Sequence, residues 1–241
     1  MPFGFATGFF PPGSADARAV IDYMLAHGSR FLGLVRAGAY ALYGRDAPYP
    51  VSGTDQVYGV NVARFFADND RPDQLVLSLY GELGAAMTPG TFVAGEGASL
   101  APLAGRRYRA MYLPPNAAAN AAFLETLRLM LVHETRRGLQ LAFATPRAWL
   151  RSGERIAVTG APTSFGAVSF SIEAGPSDVR IHIDVPSRQV PPQIAVRVRL
   201  PNGRRLATVT LGGAAVRFDR ATGTIVLDGK RGSLDLVATT S

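Results

Sequence analysis

The stretch VSFSIEAGPSDVRIHIDV, residues 168–185, decides how the second half of the chain folds. Val168, Phe170 and Ile172 alternate with polar residues, Gly175-Pro176 interrupts, and Val179, Ile181, Ile183 and Val185 alternate again. A period of two puts every apolar side chain on one face of a strand, so the stretch reads as two strands with one buried face, joined by a turn. The pattern spreads outward in both directions. Leu139, Leu141 and Phe143 precede it; Ile194, Val196, Val198 and Leu200, then Leu206, Val209 and Leu211, then Ile225, Val226 and Leu227, and finally Leu234, Leu236 and Val237 follow. Turn signals such as Ser152-Gly153, Asn202-Gly203, Gly212-Gly213 and Thr222-Gly223 separate these runs at intervals of roughly ten residues, the spacing of an antiparallel β-sandwich. Trp149, the single tryptophan, is expected to be buried near the start of this part.

Before Arg137-Gly138 the apolar spacing is helical. Ser14 offers an N-cap to a helix carrying Val20, Ile21, Met24 and Leu25, closed by His27-Gly28. A second helix is expected over 29–43 and ended by Gly44. A third follows the capping pair Thr54-Asp55 and carries Val57, Tyr58, Val60, Phe65 and Phe66. Arg71-Pro72-Asp73 starts a fourth over 74–87. Asn116 caps the strongest, running to about Arg136 with Phe123, Leu124, Leu127, Met130 and Leu131 on one face. Residues 88–115, rich in glycine and proline, read as one long loop. The fold class is therefore α+β: helical hairpins over 1–137, then an antiparallel β-sandwich over 138–241, with a short linker near Gly138.

Composition removes several classes of function. The 241 residues are 47% hydrophobic and 18% charged, the opposite of a disordered chain. With no cysteine there is no disulfide framework, thiolate zinc site or cysteine nucleophile. No window is long and apolar enough for a transmembrane helix, so no membrane partner is expected. The opening MPFGFATGFF lacks a basic flank and is broken by Pro11-Pro12, unlike a secretory signal. The chain as it stands is expected in the cytoplasm, and outside the cell if it belongs to a longer secreted enzyme. The net charge of +7 is almost all arginine, with Lys230 the single lysine. Those arginines are scattered, with Arg106, Arg107 and Arg109, then Arg136-Arg137 and Arg204-Arg205, as the densest spots. Nucleic-acid binders concentrate such charge in a stripe, so no nucleic acid is expected; arginine usage of the actinobacterial, GC-rich type accounts for the excess.

Two strings point to a family. Thr88-Pro89-Gly90-Thr91-Phe92-Val93-Ala94-Gly95-Glu96-Gly97 stands between two helices, and Tyr112-Leu113-Pro114-Pro115-Asn116 opens the next helix, followed by Ala117-Ala118-Ala119-Asn120. Together with the trailing sandwich this resembles the C-terminal portion of six-hairpin, (α/α)6-toroid glycosidases such as the bacterial α-L-rhamnosidase-like enzymes. In that family a loop of this kind delivers a catalytic glutamate, although Gly95 stands where the family has tryptophan. The resemblance implies a glycoside-hydrolase-like protein that acts on or binds carbohydrate, with Glu96 as the general base. It also implies a partial toroid, because the chain has too few helices to close one. Exposed apolar faces would then be covered by a homo-oligomer or by a missing N-terminal polypeptide.

Each candidate also has a structural reading. Glu96, flanked by two glycines, is either presented to a ligand or solvated on its loop. Asp55, the weaker second acid, suits a helix cap equally well. Tyr112 could wall a sugar subsite, and Asn116 and Asn120 could bond sugar hydroxyls or form an N-cap and polar first turn. A non-catalytic carbohydrate-binding or structural remnant, and a basic protein-interaction module, are the alternative functions. His133 with Glu125 and Glu134 lacks metal-ligand spacing, and His27 and His182 fall elsewhere, so no metal is expected. There is no GxGxxG after a strand, P-loop or GxSxG elbow, and no cofactor is expected. Weak or absent glycosidase activity is expected of the chain alone.

Overall fold

The computed structural model describes residues 4, 7–23, 26, 36–37, 52–103 and 106–241. The chain divides into two compact units, Met1–Arg128 and Leu129–Ser241.

In the first unit α1 (Ala15–Tyr23) starts as its sequence dictates, with the Ser14 hydroxyl accepting from the Ala17 N–H at 3.1 Å. It buries Ala17 and Ile21. Strands β1 (Arg36–Ala37) and β2 (Ser52–Asp55) precede α2 (Gln56–Asp68). Helix α3 (Pro72–Gly81) has proline in its first turn, where the missing N–H costs nothing, and runs on into a π-helical turn, Glu82–Ala86. Phe65, Phe66, Leu75 and Leu79 fill the space between these helices and their neighbours. Strands β3 (Gly97–Leu103) and β4 (Arg106–Tyr112) follow, and then α4 (Ala117–Leu131), whose last three residues are counted with the second unit. The four strands form one antiparallel sheet in the order β1-β2-β3-β4.

Two local expectations change here. The loop expected over 88–115 contains the β3–β4 hairpin, whose glycines, alanines and Pro102 carry no β-branched signal. Of the helix expected over 29–43, the described pair Arg36–Ala37 is a strand against Gly53 and Thr54; the remainder lies outside the described residues.

The second unit is a β-sandwich. Strands β5 (Val132–Thr135) and β6 (Gly138–Leu141) are followed by a 3-10 turn, Arg147–Leu150. The remaining strands are β7 (Arg155–Thr163), β8 (Gly166–Ala174), β9 (Asp178–Asp184), β10 (Gln193–Arg197), β11 (Leu206–Leu211), β12 (Ala214–Ala215), β13 (Phe218–Asp219), β14 (Thr224–Asp228) and β15 (Ser233–Thr240). One sheet has the order β13-β14-β10-β6-β5 and the other β12-β11-β15-β9-β8-β7. The alternating residues of both, among them Leu139, Val196 and Ile225 against Phe170, Ile181 and Leu236, meet in one core. Trp149 is half-buried against that core.

The pairing departs from a purely antiparallel sandwich once, where β10 runs parallel to β6. Gly138 permits this join: its φ is +132°, and a Cβ there would lie 2.0 Å from the Gln193 carbonyl oxygen. Helix α4 also ends earlier than its apolar stripe suggests, and His133 and Glu134 lie on β5 rather than at a helix end. The reason is pairing: Val132 stands opposite Leu141 and Glu134 opposite Leu139. Strand β7, at the edge of its sheet, carries a register shift between Val158 and Ala161.

Candidate functional site

Two of the candidates, Asp55 and Tyr112, lie in one row at an end of the four-stranded sheet, and backbone pairing puts them there. Asp55, the last residue of β2, is the partner of Gly97, and Gly97 is in turn the partner of Tyr112. Asp55, Gly97 and Tyr112 thus form one row across three strands, with neighbouring Cα atoms about 4.5–5.5 Å apart. Glu96 immediately precedes that row and Asn116 follows it along the chain.

The loop carrying Glu96 is tied down on both sides. Met87 and Ala94 form a β-bridge, and the Thr88 N–H donates to the Val93 carbonyl at 2.9 Å. The buried Gln56 side chain donates to the Gly95 carbonyl at 2.8 Å, and the Asn116 N–H donates to the Ala94 carbonyl at 2.8 Å. Met87, Ala94 and Ala119 are packed beneath, with Val57, Leu83 and Phe123 against them. Glu96 itself is half-buried, and its carboxylate has no side-chain partner among the described residues. A loop fixed at four points that offers an unpaired acid resembles a presenting loop more than a solvated connection.

The asparagines divide. The Asn116 side-chain oxygen accepts from the Ala119 N–H at 2.9 Å, so it serves as the N-cap of α4. The Asn120 side-chain oxygen is buried with no partner among the described residues. Phe92 and Leu113 are exposed, both with left-handed backbone (φ 53° and 45°), in the loops on either side of Glu96 and Tyr112. Bulky residues seldom adopt this conformation, and where it persists the surroundings must enforce it.

Glu82 was not singled out by the sequence reading. It sits in the π-helical turn with 1% of its surface exposed. The Thr126 hydroxyl donates to its Oε1 at 3.3 Å, while Oε2 has no partner among the described residues. Burial pushes its carboxyl up to about 8, against which the Thr126 hydrogen bond acts weakly. The group is therefore largely protonated at neutral pH. The signal was available: Leu75, Leu79 and Glu82 fall at i, i+4 and i+7 on the buried face of α3, which places an acid in the apolar stripe. Glu125, by contrast, pairs with Arg64 at 2.6 Å on a partly exposed face. Among the described residues no group of histidine and carboxylate side chains could hold a metal ion, and no helix is long and apolar enough to cross a membrane.

No known protein family matches the chain, and none of the curated proteins does. Solved structures similar to it include Ara127N, a GH127 β-L-arabinofuranosidase from Geobacillus stearothermophilus T6. It is 13% identical with a TM-score of 0.47, over 100% of this chain and 40% of that one. An α-L-rhamnosidase from Dictyoglomus thermophilum is 12% identical, with a TM-score of 0.37 over 75% of this chain and 21% of that one. A second GH127 β-arabinofuranosidase is 16% identical, with a TM-score of 0.36 over 76% of this chain and 31% of that one. This chain thus spans less than half the length of each.

Proposed function

We propose that the chain is a glycoside-hydrolase-like protein that engages carbohydrate at the end of the β2–β3–β4 sheet. Glu96 is the base, Asp55 the weaker second acid, and Tyr112, Asn116 and Asn120 face the sugar. The observation that supports this reading is the row Asp55–Gly97–Tyr112, with Glu96 adjoining it on a loop tied to its surroundings. The N-cap bond narrows the part left to Asn116, whose amide nitrogen is the group available to a sugar oxygen.

Glycoside hydrolysis needs one carboxyl group to protonate the leaving oxygen and another to activate water or attack. Forfeiting either contribution costs about 10²–10⁴-fold in rate. Asp55 stands where a strand hands over to a helix, a position that the helix start also uses. The chain alone is therefore expected to bind sugars weakly and to turn over aryl glycosides slowly or not at all.

A panel of 4-nitrophenyl glycosides, with parallel calorimetric sugar titrations, tests the reading. The expected result is turnover near background and sugar binding that Glu96→Gln weakens while Glu125→Gln does not. Robust turnover abolished by Glu96→Gln would uphold the residue and overturn the expected inactivity. Neither turnover nor sugar binding would overturn the function and favour a structural or interaction module.

A further inference from the structure

The sandwich carries a second, separate feature. A surface groove of about 450 Å³ is lined by Leu131, Trp149, Arg151, Glu154, Arg155 and Ile156, with Ala148 and Ala157 at its margin. That volume lies within the range of small-ligand sites. The walls are held by the fold. Leu150 and Ile156 are buried anchors on either side of the turn, with Trp149 half-buried against the core and Arg151 and Arg155 exposed. The intervening turn, with Gly153 at φ +88°, is clamped to β8 by the Gly153 N–H donating to the Ala174 carbonyl at 2.7 Å and the Ala174 N–H donating to the Glu154 carbonyl at 3.1 Å.

The chemistry of the lining limits what can bind. The side chains of Arg151, Glu154 and Arg155 have no partner among the described residues. Two guanidinium groups offer donors in a planar fork that matches a carboxylate, whereas Glu154 offers acceptors alone. A ligand that satisfies both carries an anionic group and a hydrogen-bond donor on one compact body, as a carboxylate-bearing sugar does. Trp149, half-buried, adds an aromatic wall for the apolar face of a ring. We propose that this groove binds an acidic sugar, a hexuronate unit of an oligosaccharide, with its carboxylate on Arg151 and Arg155, a hydroxyl on Glu154 and its ring against Trp149. The site is independent of Glu96 and of the activity proposed above.

Because Trp149 is the single tryptophan, its emission reports on the groove directly. Titration of the full chain with digalacturonate should change that emission saturably. The neutral disaccharide galactobiose should bind at least about tenfold more weakly, since it lacks the charge-assisted pair. Arg151→Ala and Arg155→Ala should each weaken digalacturonate binding by a similar factor, read by calorimetry as well as emission. Glu96→Gln should leave this titration unchanged, which separates the groove from the site on the first unit. No saturable change with digalacturonate, equal affinity for galactobiose, or full affinity in Arg151→Ala and Arg155→Ala would each overturn the proposal. A tetraglutamate peptide binding as tightly as digalacturonate would overturn the sugar assignment in favour of simple anion attraction.

Discussion

One carboxyl group and one imidazole show how surroundings, burial in the first case and carboxylate partners in the second, set behaviour. Glu82 lies in the interior with a pKa near 8 against an ordinary value of 4.5. The folded state therefore holds a proton that the unfolded state releases. Stability is greatest below the ordinary value and falls as pH rises toward 8. Glu82→Gln removes the charge while keeping the shape, and should stabilise the protein by roughly 3 kcal/mol at pH 7, with little effect near pH 4; urea unfolding across that range measures it. His182 shifts in the same direction for a different reason, carboxylate partners rather than burial. Its Nδ1 lies 2.8 Å from Asp235 and its Nε2 3.3 Å from Asp184, and these carboxylates, the Asp235 hydrogen bond first, raise its pKa. Its contribution is fully present below the ordinary histidine value and is lost as pH rises through the raised one. The pair is exposed, so solvent screening holds the effect to ~0.5 kcal/mol or less. Stability curves of His182→Gln against the parent, at pH 5.5 and 8.5, should differ by that small amount at the acid end alone. Asn116→Ala should cost about 1 kcal/mol through loss of the α4 cap, visible in thermal unfolding. A loss of sugar binding beyond that stability change would mark a second role for the residue.

At the scale of elements, the joins are where sequence and structure part. The longer sandwich strands were legible where they bury one face: Val168, Phe170 and Ile172 all reach the core that their alternation implies. The β3–β4 hairpin was not, since its stability comes from pairing with β2 and not from a pattern within Gly97–Leu103. The end of α4 was misplaced for a similar reason. Leu129 and Met130 on the helix and Val132 on β5 are all buried, so apolar content continues unbroken while the period changes beneath it. The site was legible in its members but not in its arrangement, because the spacing between Asp55, Glu96 and Tyr112 says nothing until register places them in one row. Gly138 offers the sharpest test of a join. A methyl group there would collide with the Gln193 backbone of the parallel neighbour, which cannot move without breaking the β6–β10 pairing. Gly138→Ala should therefore destabilise the sandwich by about 2–4 kcal/mol in chemical denaturation, whereas Gly212→Ala, with open space around it, should cost less.

For the molecule as a whole, the edges of the sandwich set how it behaves in company. Three of the four outer strands are short: β12 and β13 have two residues each and β5 has four. Strand β7 has nine and would be the exception, were its run not broken by the register shift at Val158–Ala161. Gly160 in that shift bonds sideways to the Ser169 hydroxyl at 2.9 Å, and Pro162 has no N–H to offer. An incoming strand from another chain would meet few donors and acceptors in sequence, the condition that keeps sheet edges from templating one another. Concentrated solutions should accordingly stay free of fibrils, and a variant with Gly160 deleted and Pro162→Val, which restores a straight donor-bearing edge, should bind thioflavin T and sediment over time. The bulge is thus a solubility device, adding to the protection against self-assembly that a net charge of +7 already gives.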